Sequence, residues 1–437
     1  MLNSRALTKT QSIILVAMII VAVVGVAAII LWDGSSQSSD TIKIGILADL
    51  DGVIGSAAWK GAVLAVEQLN AEGGIIGKQV ELVGEDSDAE SGADPVEVTQ
   101  SLTRLITIHK VDFVMGYAPG DIGFLCQEIA AQHKKIFIGT GTVSDEVCQR
   151  IIDEYDKYKY YFRPLWNQSS GRLGIIDSLL LLREDTGFNK IGYIAEDLTW
   201  NVGHRATIEE FLPEGFEFVY GGTFPIGTID FGSYFAAAES AGVEVLVPMI
   251  YSDGAITFAK EYYDRQSPMF VYTGLAFQIS PNEGWDRTDG KCNYMALVEF
   301  ATTAGYPLTS KTLQTLDLYE NRWNEKMRIS GSVYYDTIRF ILADAIKRAG
   351  TIETEEVIQA LEDTSIETSN AKNYVFTSSH CTMMGENPND PESDLPHVII
   401  LQWQNGQQVP LYPKKIMEEA GANYLFPDWS GPWDNIS

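Results

Sequence analysis

The chain has few of the residues that metal and nucleic-acid sites commonly use. Only 5 histidines and 4 cysteines occur among 437 residues, and 59 acidic residues outnumber 31 basic ones. The cysteines lie far apart without a C-x-x-C pair, and the histidines show no ligand spacing, which argues against a zinc site. A formal net charge of −28 would repel phosphates. The composition therefore excludes a nucleic-acid-binding protein.

Motifs of the common enzyme classes are also lacking. No P-loop, G-x-S-x-G or H-E-x-x-H motif occurs, and "GTGTVS" has Ser144 where a dinucleotide-binding loop needs its third glycine. The acidic pairs Asp49/Asp51 and Asp86/Asp88 would suit a glycosidase, but strand-end loops explain them as well. We therefore predict a protein that is not an enzyme and that holds no metal ion or cofactor.

What the chain does have is one long apolar run near its N-terminus. Residues 12–32 carry no charge, and at ~1.5 Å per helical residue they can cross a hydrocarbon core of about 30 Å. The length of this run and the lack of a lipid-acceptor cysteine after it favour a retained membrane anchor over a cleaved signal peptide. Arg5 and Lys9 precede the run and acidic residues follow it, which predicts that residues 1–11 lie in the cytoplasm. Residues 33–41 form a flexible tether, and the chain after them is predicted to lie outside the cell.

Beyond the tether, short strand-like runs alternate with amphipathic segments. The runs include "IKIGILADL", "VDFVMGY", "KIGYIAED" and "VEVLVPMIY", rich in branched residues and ending in glycine, acidic or polar loops. After the first run, Trp59, Val63, Val66 and Leu69 recur at helical spacing, and a Glu-Gly-Gly sequence ends the helix. This alternation predicts parallel sheets, whose strand C-terminal ends gather the loops along one edge, where ligands bind.

The alternating pattern restarts near residue 160, which predicts two similar lobes. Later helical segments are too many for the second lobe, so we expect the chain to return to the first lobe near Tyr294, while Asn405-Gly406 predicts a hairpin in the tail. The predicted fold is α/β, with two doubly wound parallel-sheet lobes joined by a hinge and preceded by one transmembrane helix. The predicted boundaries are 42–161 and 295–374 for lobe one, and 162–294 and 375–437 for lobe two.

Taken in order, these segments resemble the type I periplasmic binding proteins, in the branch that binds branched-chain amino acids and amides for ABC transporters. The resemblance rests on "GAVLAVEQLNAEGGIIGK", "KIFIGTGTVSDEV", "YYFRPL", "IGYIAEDLTWNVG" and "VYYDTIRFILADAIKRAG", and it extends over nearly all of residues 42–415. It implies two lobes on a three-stranded hinge, which close on a small solute and present it to an ABC permease.

On lobe one, the resemblance assigns ligand contacts to three loops. The family's serine is unmatched, since Pro119 or Gly120 takes its place, and Thr142 is the best counterpart of the family's threonine, with Thr140 or Ser144 as alternatives. Ser144 also suits a helix N-cap. For Trp59, the alternative to ligand contact is that its ring packs the helix onto the sheet. The predicted ligand-binding residues of lobe one are Trp59, Tyr117, Pro119, Gly120, Asp121, Thr140, Gly141 and Thr142.

On lobe two, the predicted ligand-binding residues are Trp200, Tyr251, Asp253 and Phe277. Ala276 and Phe277 stand where the amino-acid binders carry the acid that pairs with the α-ammonium group, so a standard α-amino acid would lack its counter-charge. Asp253 would replace that acid if its side chain turned toward the ligand. The alternative is that its carboxylate is solvated at the start of a helix. The predicted ligand is a small polar solute, namely an amino acid, an amide or an organic cation, and the aromatic residues favour the last two.

Two other functions stay open at this point. The same fold serves in extracellular sensors, which here would need a separate signalling partner, and a structural surface protein would show no cleft closure.

The pairing of the cysteines also stays open. Residues 378–397 are longer than the link that the family usually has there, and Cys381 is expected to hold them to Cys292 or to stay a free thiol. Cys126 and Cys148 are the closer pair in sequence, with buried thiols as the alternative.

Overall fold

The computed structural model describes residues 41–87, 94–118, 120–198, 201, 205, 208–276, 283–299, 306–385 and 394–436. The predicted transmembrane segment, residues 12–32, lies outside these ranges. Within them, no helix is both long and apolar enough to cross a bilayer.

A parallel sheet of five strands forms the first half of the fold, in the order β2-β1-β3-β4-β5. Its strands are β1 (Ile42–Ala48), β2 (Val80–Asp86), β3 (Phe113–Gly116), β4 (Phe137–Gly139) and β5 (Tyr161–Phe162). Ile44 of β1 faces Leu82 on one side and Phe113 on the other. Because β2 and β3 lie on opposite sides of β1, the connections diverge there and leave a crevice at the strand ends.

Helices cover both faces of this first sheet. Those connecting its strands are α1 (Val53–Ala71), α2 (Pro95–Thr107), α3 (Ile122–His133), α4 (Asp145–Asp153) and the single turn α5 (Tyr155–Tyr158). A second group comes from late in the chain: α10 (Thr312–Trp323), α11 (Ile329–Asp336), a π-helix (Thr337–Leu342), α12 (Ala343–Ala349) and α13 (Thr354–Glu362). Helices α1 and α11 cross closely, since a Cβ on Gly61 would lie 2.0 Å from the Gly331 carbonyl oxygen.

A second parallel sheet repeats this arrangement with the order β10-β8-β6-β7, and β9 also pairs with β8. Its elements are α6 (Gln168–Thr186), β6 (Lys190–Glu196), β7 (Glu217–Phe224), α7 (Gly232–Ser240), β8 (Val245–Ile250), α8 (Gly254–Arg265), β9 (Phe270–Val271), β10 (Leu275–Ala276) and α9 (Glu283–Arg287). Strands β7 and β8 lie on opposite sides of β6, so this sheet has its own crevice between β6 and β8.

Antiparallel strands complete the fold. They are β11 (Ala296–Glu299), β14 (Ile399–Gln404) and β15 (Gln407–Tyr412) in one sheet and β12 (Ser365–Ile366) with β13 (Tyr374–Val375) in another, followed by α14 (Lys414–Glu419) and a 3₁₀ helix (Pro432–Asn435). The predicted hairpin joins β14 to β15, and Asn405 and Gly406 at its turn both have positive φ, as a type I′ turn requires.

The hydrophobic cores support a division into two lobes. Tyr319, Ile346 and Phe376 share a core with β1, whereas β11 bridges Tyr272 of the second half and donates from the Val298 N–H to the Gly274 carbonyl at 2.9 Å. The boundaries inferred from the sequence stay a prediction. The pairing of β11 favours a return to lobe one later than residue 295, between Glu299 and Thr312.

The disulfide differs from both pairings that the sequence suggested. Cys148 of α4 is bonded to Cys381, across 233 residues of sequence, whereas Cys126 and Cys292 are buried free thiols. Burial raises the pKa of each of these two thiols to about 12, so both stay protonated and unreactive. The bridge therefore fixes the segment after β13 to lobe one, and Cys381 does not reach Cys292.

One buried carboxylate predicts a pH dependence of stability. Burial raises the pKa of Asp336, at the end of α11, to about 6. The folded state thus holds this proton over a pH range in which the unfolded state has released it. The resulting stabilisation is complete below about pH 4 and is lost as the pH rises through 6, and it amounts to about 3 kcal/mol.

The Asp336→Asn variant isolates this contribution from that of the other carboxylates. We expect its free energy of unfolding to improve relative to the wild type by about 2–3 kcal/mol between pH 4 and pH 7, because asparagine carries no charge to bury. Urea unfolding of both proteins at half-unit pH steps measures the difference. A difference that stays constant over this range would contradict the assignment.

Candidate functional site

The loops that follow β1, β3 and β4 form the edge of lobe one where its crevice lies. After β1, the Gly52 N–H donates to the buried Asp49 carbonyl at 3.0 Å, and a Cβ on Gly55 would lie 1.9 Å from that same oxygen. Only glycine at position 55 therefore lets α1 begin so close to the strand end. The N-terminus of α1 is thereby placed at the crevice.

Trp59, in the second turn of α1, packs against the sheet. A Cβ on Gly84 of β2 would lie 3.1 Å from the Trp59 ring, and the ring also joins the edge of the lobe-one core. This is the packing role that was the alternative to ligand contact. The side chain is nevertheless only half-buried, so contact with a solute stays a prediction for its exposed part.

The loops after β3 and β4 are bound to each other. The buried Thr142 hydroxyl lies 2.7 Å from the Ala118 carbonyl oxygen and 2.9 Å from that of Gly120, to either of which it can donate. A Cβ on Gly141 would lie 2.6 Å from the Ala118 carbonyl carbon. The Thr142 hydroxyl therefore holds the two loops together, and direct donation from it to a solute would require a change of partner.

The other predicted residues of these loops differ in exposure. Thr140 is buried, and its hydroxyl lies 3.2 Å from the Gly116 carbonyl oxygen, whereas Tyr117 is half-buried. Gly120, with φ +53°, and Asp121 are exposed before α3. Ser144 is the N-cap of α4, since its hydroxyl accepts from the Glu146 N–H at 3.2 Å. The N-cap alternative for Ser144 is thus confirmed.

The edge of lobe two is organised by Glu196, the last residue of β6. This carboxylate is fully buried and accepts from the Tyr251 N–H at 2.8 Å, the Ser252 N–H at 3.2 Å and the Ser252 hydroxyl. The Glu196 carbonyl also accepts from the Asn201 side-chain amide at 2.8 Å. Glu196 therefore fixes the loop after β8 that presents the half-buried Tyr251.

Glu196 was not among the residues predicted from the sequence. An acid at the end of an apolar strand reads as a solvated loop residue, and the only available signal was its place in the motif "IGYIAED". Asp253, which was predicted, is exposed and pairs with Arg287 at 2.8 Å between its Oδ1 and the guanidinium Nη2. It occupies the solvated helix start that was the alternative. Pro119, Trp200 and Phe277 lie outside the described residues.

Polar contacts join the two lobes beside these loops. The Gln168 N–H donates to the Val143 carbonyl at 2.7 Å, and the Asp145 carboxylate accepts from the Ser169 hydroxyl at 2.6 Å. Farther along the chain, Arg328 before α11 lies 3.4 Å from the Glu283 carboxylate of α9. Contacts of this kind can break and re-form during a rotation of one lobe against the other.

The described residues contain no group of three or more His, Cys, Asp or Glu side chains placed to hold a metal ion. The loops at the two crevices offer hydrogen-bonding groups, aromatic rings and charged side chains. Such groups suit the recognition of a small organic molecule.

Comparison with known proteins supports the family resemblance seen in the sequence. A family model described as periplasmic binding protein matches residues 41–385. The Leu/Ile/Val-binding protein homolog 7 of Brucella melitensis is 23% identical over 395 residues, which cover 87% of this chain and 93% of that protein.

Solved structures show the same fold. The branched-chain amino acid transporter substrate-binding protein LivJ of Streptococcus pneumoniae, in complex with isoleucine, matches with a TM-score of 0.71 and 21% identity, over 86% of this chain and 100% of that one. A solute-binding protein of R. palustris, in complex with benzoate, matches with a TM-score of 0.68 and 17% identity, over 85% of this chain and 95% of that one. The α/β fold with parallel sheets that the sequence predicts is thus confirmed.

Proposed function

Because this chain belongs to the periplasmic binding protein family, we propose that it captures a small polar solute between its two lobes and delivers it to an ABC permease. The observation that carries the proposal is that each parallel sheet has a crevice at the C-terminal ends of its strands, in the position where open α/β sheets bind ligands. Lobe contacts beside these loops, such as that of Asp145 with Ser169, are consistent with closure around a solute.

The solute that we propose is a small amide or an organic cation. The relatives are named for or crystallised with branched-chain amino acids and benzoate, so the family's ligands are not of one class. Here the Glu196 carboxylate accepts hydrogen bonds from the loop after β8, and the Asp253 carboxylate forms an ion pair with Arg287. Neither is placed to neutralise an α-ammonium group, whereas the half-buried rings of Trp59 and Tyr251 suit an amide plane or a cation.

We also propose that the folded part works outside the cell, held to the membrane by residues 12–32. The family implies an extracellular or periplasmic folded part. The Cys148–Cys381 bond supports the same location, because disulfides persist in oxidising compartments and are rare in the cytosol.

Thermal unfolding of residues 41–437 with a solute panel tests the function. The panel comprises leucine, isoleucine, amides, urea, polyamines and betaines. A solute at a hundred times its dissociation constant adds about 2.7 kcal/mol of stability, which is a shift of a few degrees. We expect amides or organic cations to stabilise the protein. If no solute of the panel raises the unfolding temperature, solute capture is contradicted. A rise with leucine or isoleucine alone would overturn the proposed solute class.

Tyr251→Ala is expected to weaken binding of the solute found in this way by about two- to thirtyfold, because a ring contact contributes ~0.5–2 kcal/mol. Asp253→Asn is the matched control from the same loop. Its carboxylate pairs with Arg287 at the surface, so affinity should change less than twofold. Calorimetric titration of both variants measures this. Equal affinities in wild type and Tyr251→Ala would remove the loop after β8 from the site.

A further inference from the structure

One ion pair connects the cores of the two lobes. Arg328, just before α11, has its guanidinium Nη2 at 3.4 Å from the Glu283 carboxylate oxygen Oε2 at the start of α9. On either side of Arg328, Met327 and Ile329 pack in the lobe-one core. Helix α9 packs through Trp285 on a core of lobe two. A change in the Arg328–Glu283 distance therefore reports a movement of one lobe against the other.

This interlobe pair lies at a distance from the hinge. Asp336, at the other end of α11, lies beside Leu165 and Trp166 of the first crossing segment. Arg328 precedes Asp336 along the helix by a length of about 12 Å, at ~1.5 Å per residue. Because the hinge is near one end of α11 and the pair at the other, a rotation of the lobes separates Arg328 from Glu283.

Neither member of the pair has another counter-charge to turn to. In the part of the chain that the structure describes, Arg328 and Glu283 form no second ion pair. The acid nearest to Arg328 in sequence is Glu325, whose two oxygens are both in use. Its Oε2 accepts from the Lys60 Nζ at 2.7 Å and its Oε1 from the Tyr319 hydroxyl at 3.0 Å. Opening of the lobes thus loses the attraction between Arg328 and Glu283 and offers no replacement.

We propose that the Arg328–Glu283 pair is a latch that holds the lobes closed in part of the molecules even without solute, and that it sets how tightly the cleft retains its solute. This inference rests on the proposed solute capture, because it concerns closure of the same cleft. A larger closed fraction raises the apparent affinity, since binding then has less closing to drive. The two side chains are 19% and 40% exposed, so salt screens their attraction. Solute retention therefore weakens as the ionic strength rises.

Distances between two spin labels test the latch without any solute. Gln314→Cys on α10 and Ser233→Cys on α7 place one label on each lobe; both positions are exposed, whereas the native free thiols are buried. Electron–electron double resonance is measured on the full chain in detergent micelles. We expect two populations of distance, and we expect the closed one to shrink when NaCl rises from about 50 mM to about 500 mM.

Charge reversal identifies the groups responsible. Loss of an exposed ion pair changes an equilibrium constant by about 1.4- to 5-fold. Arg328→Glu also adds repulsion, which doubles the effect on the free energy, so the ratio of closed to open molecules should fall about two- to thirtyfold. The double variant Arg328→Glu/Glu283→Arg should restore the wild-type ratio. Arg322→Glu is the matched control, because it makes the same charge change while its partner, Glu67 at 2.9 Å, belongs to lobe one.

The outcomes separate the latch from the proposed function. Distances that neither salt nor Arg328→Glu changes would overturn the latch, and so would a double variant that fails to restore the ratio. A shift in Arg322→Glu as large as that in Arg328→Glu would assign the effect to net charge and overturn it as well. If the latch responds as expected but no solute of the panel binds, solute capture alone is contradicted.

Discussion

Replacement of Cys148 and Cys381 by serine should lower the free energy of unfolding of the folded part by about 3–5 kcal/mol. The bond joins residues 233 apart in sequence. In the chain-entropy model a closed loop of this length restricts the unfolded state by about 5 kcal/mol, and measured losses are commonly 2–4 kcal/mol. Urea unfolding of residues 41–437, oxidised and as the double variant, measures the loss.

Cys292→Ala is the matched control, because it removes a buried thiol but no cross-link. Its loss should be about 1 kcal/mol, as expected for a small cavity. Reduction of the wild type with dithiothreitol should reproduce the result of the double variant. If reduced and oxidised protein unfold at the same urea concentration, the bond contributes nothing to stability.

The elements that could be predicted from the sequence are those specified by local patterns. Branched residues in short runs and apolar residues at helical spacing identify strands and helices wherever their neighbours lie. Asn405-Gly406 predicts its own turn, because both residues tolerate positive φ. Ser144 is predictable as an N-cap, since its hydroxyl needs only the backbone N–H of Glu146, two residues later, as a partner.

The features that escaped prediction depend on contacts that are distant in sequence. Cys148 meets Cys381 only after the chain has built lobe two and returned. The Thr142 hydroxyl looks available for a ligand until the Ala118 carbonyl of another loop is placed beside it. Glu196 looks solvated until the loop after β8 supplies three donors. In each case the residue type was visible, and its partner was not.

Glu196→Ala should have the second large effect, on stability and on solute binding together. The variant leaves the N–H groups of Tyr251 and Ser252 and the Ser252 hydroxyl without their buried acceptor, which should cost about 3–5 kcal/mol of the free energy of unfolding. Because the same loop presents Tyr251, we expect solute affinity to fall about two- to thirtyfold, as in Tyr251→Ala. Glu196→Gln keeps one acceptor oxygen and should restore part of both losses.

Glu244 offers a control that separates a positioning role from a merely structural one. Its carboxylate accepts from the N–H groups of Asn189 and Lys190 at 2.8 and 3.1 Å, at the opposite end of β6 from the cleft. Glu244→Ala should therefore lower stability and leave solute affinity within twofold of the wild type. Urea unfolding and calorimetric titration of both alanine variants make the comparison. If Glu196→Ala weakens solute binding no more than Glu244→Ala does, then Glu196 supports the fold alone and the orientation of Tyr251 at the cleft does not depend on it.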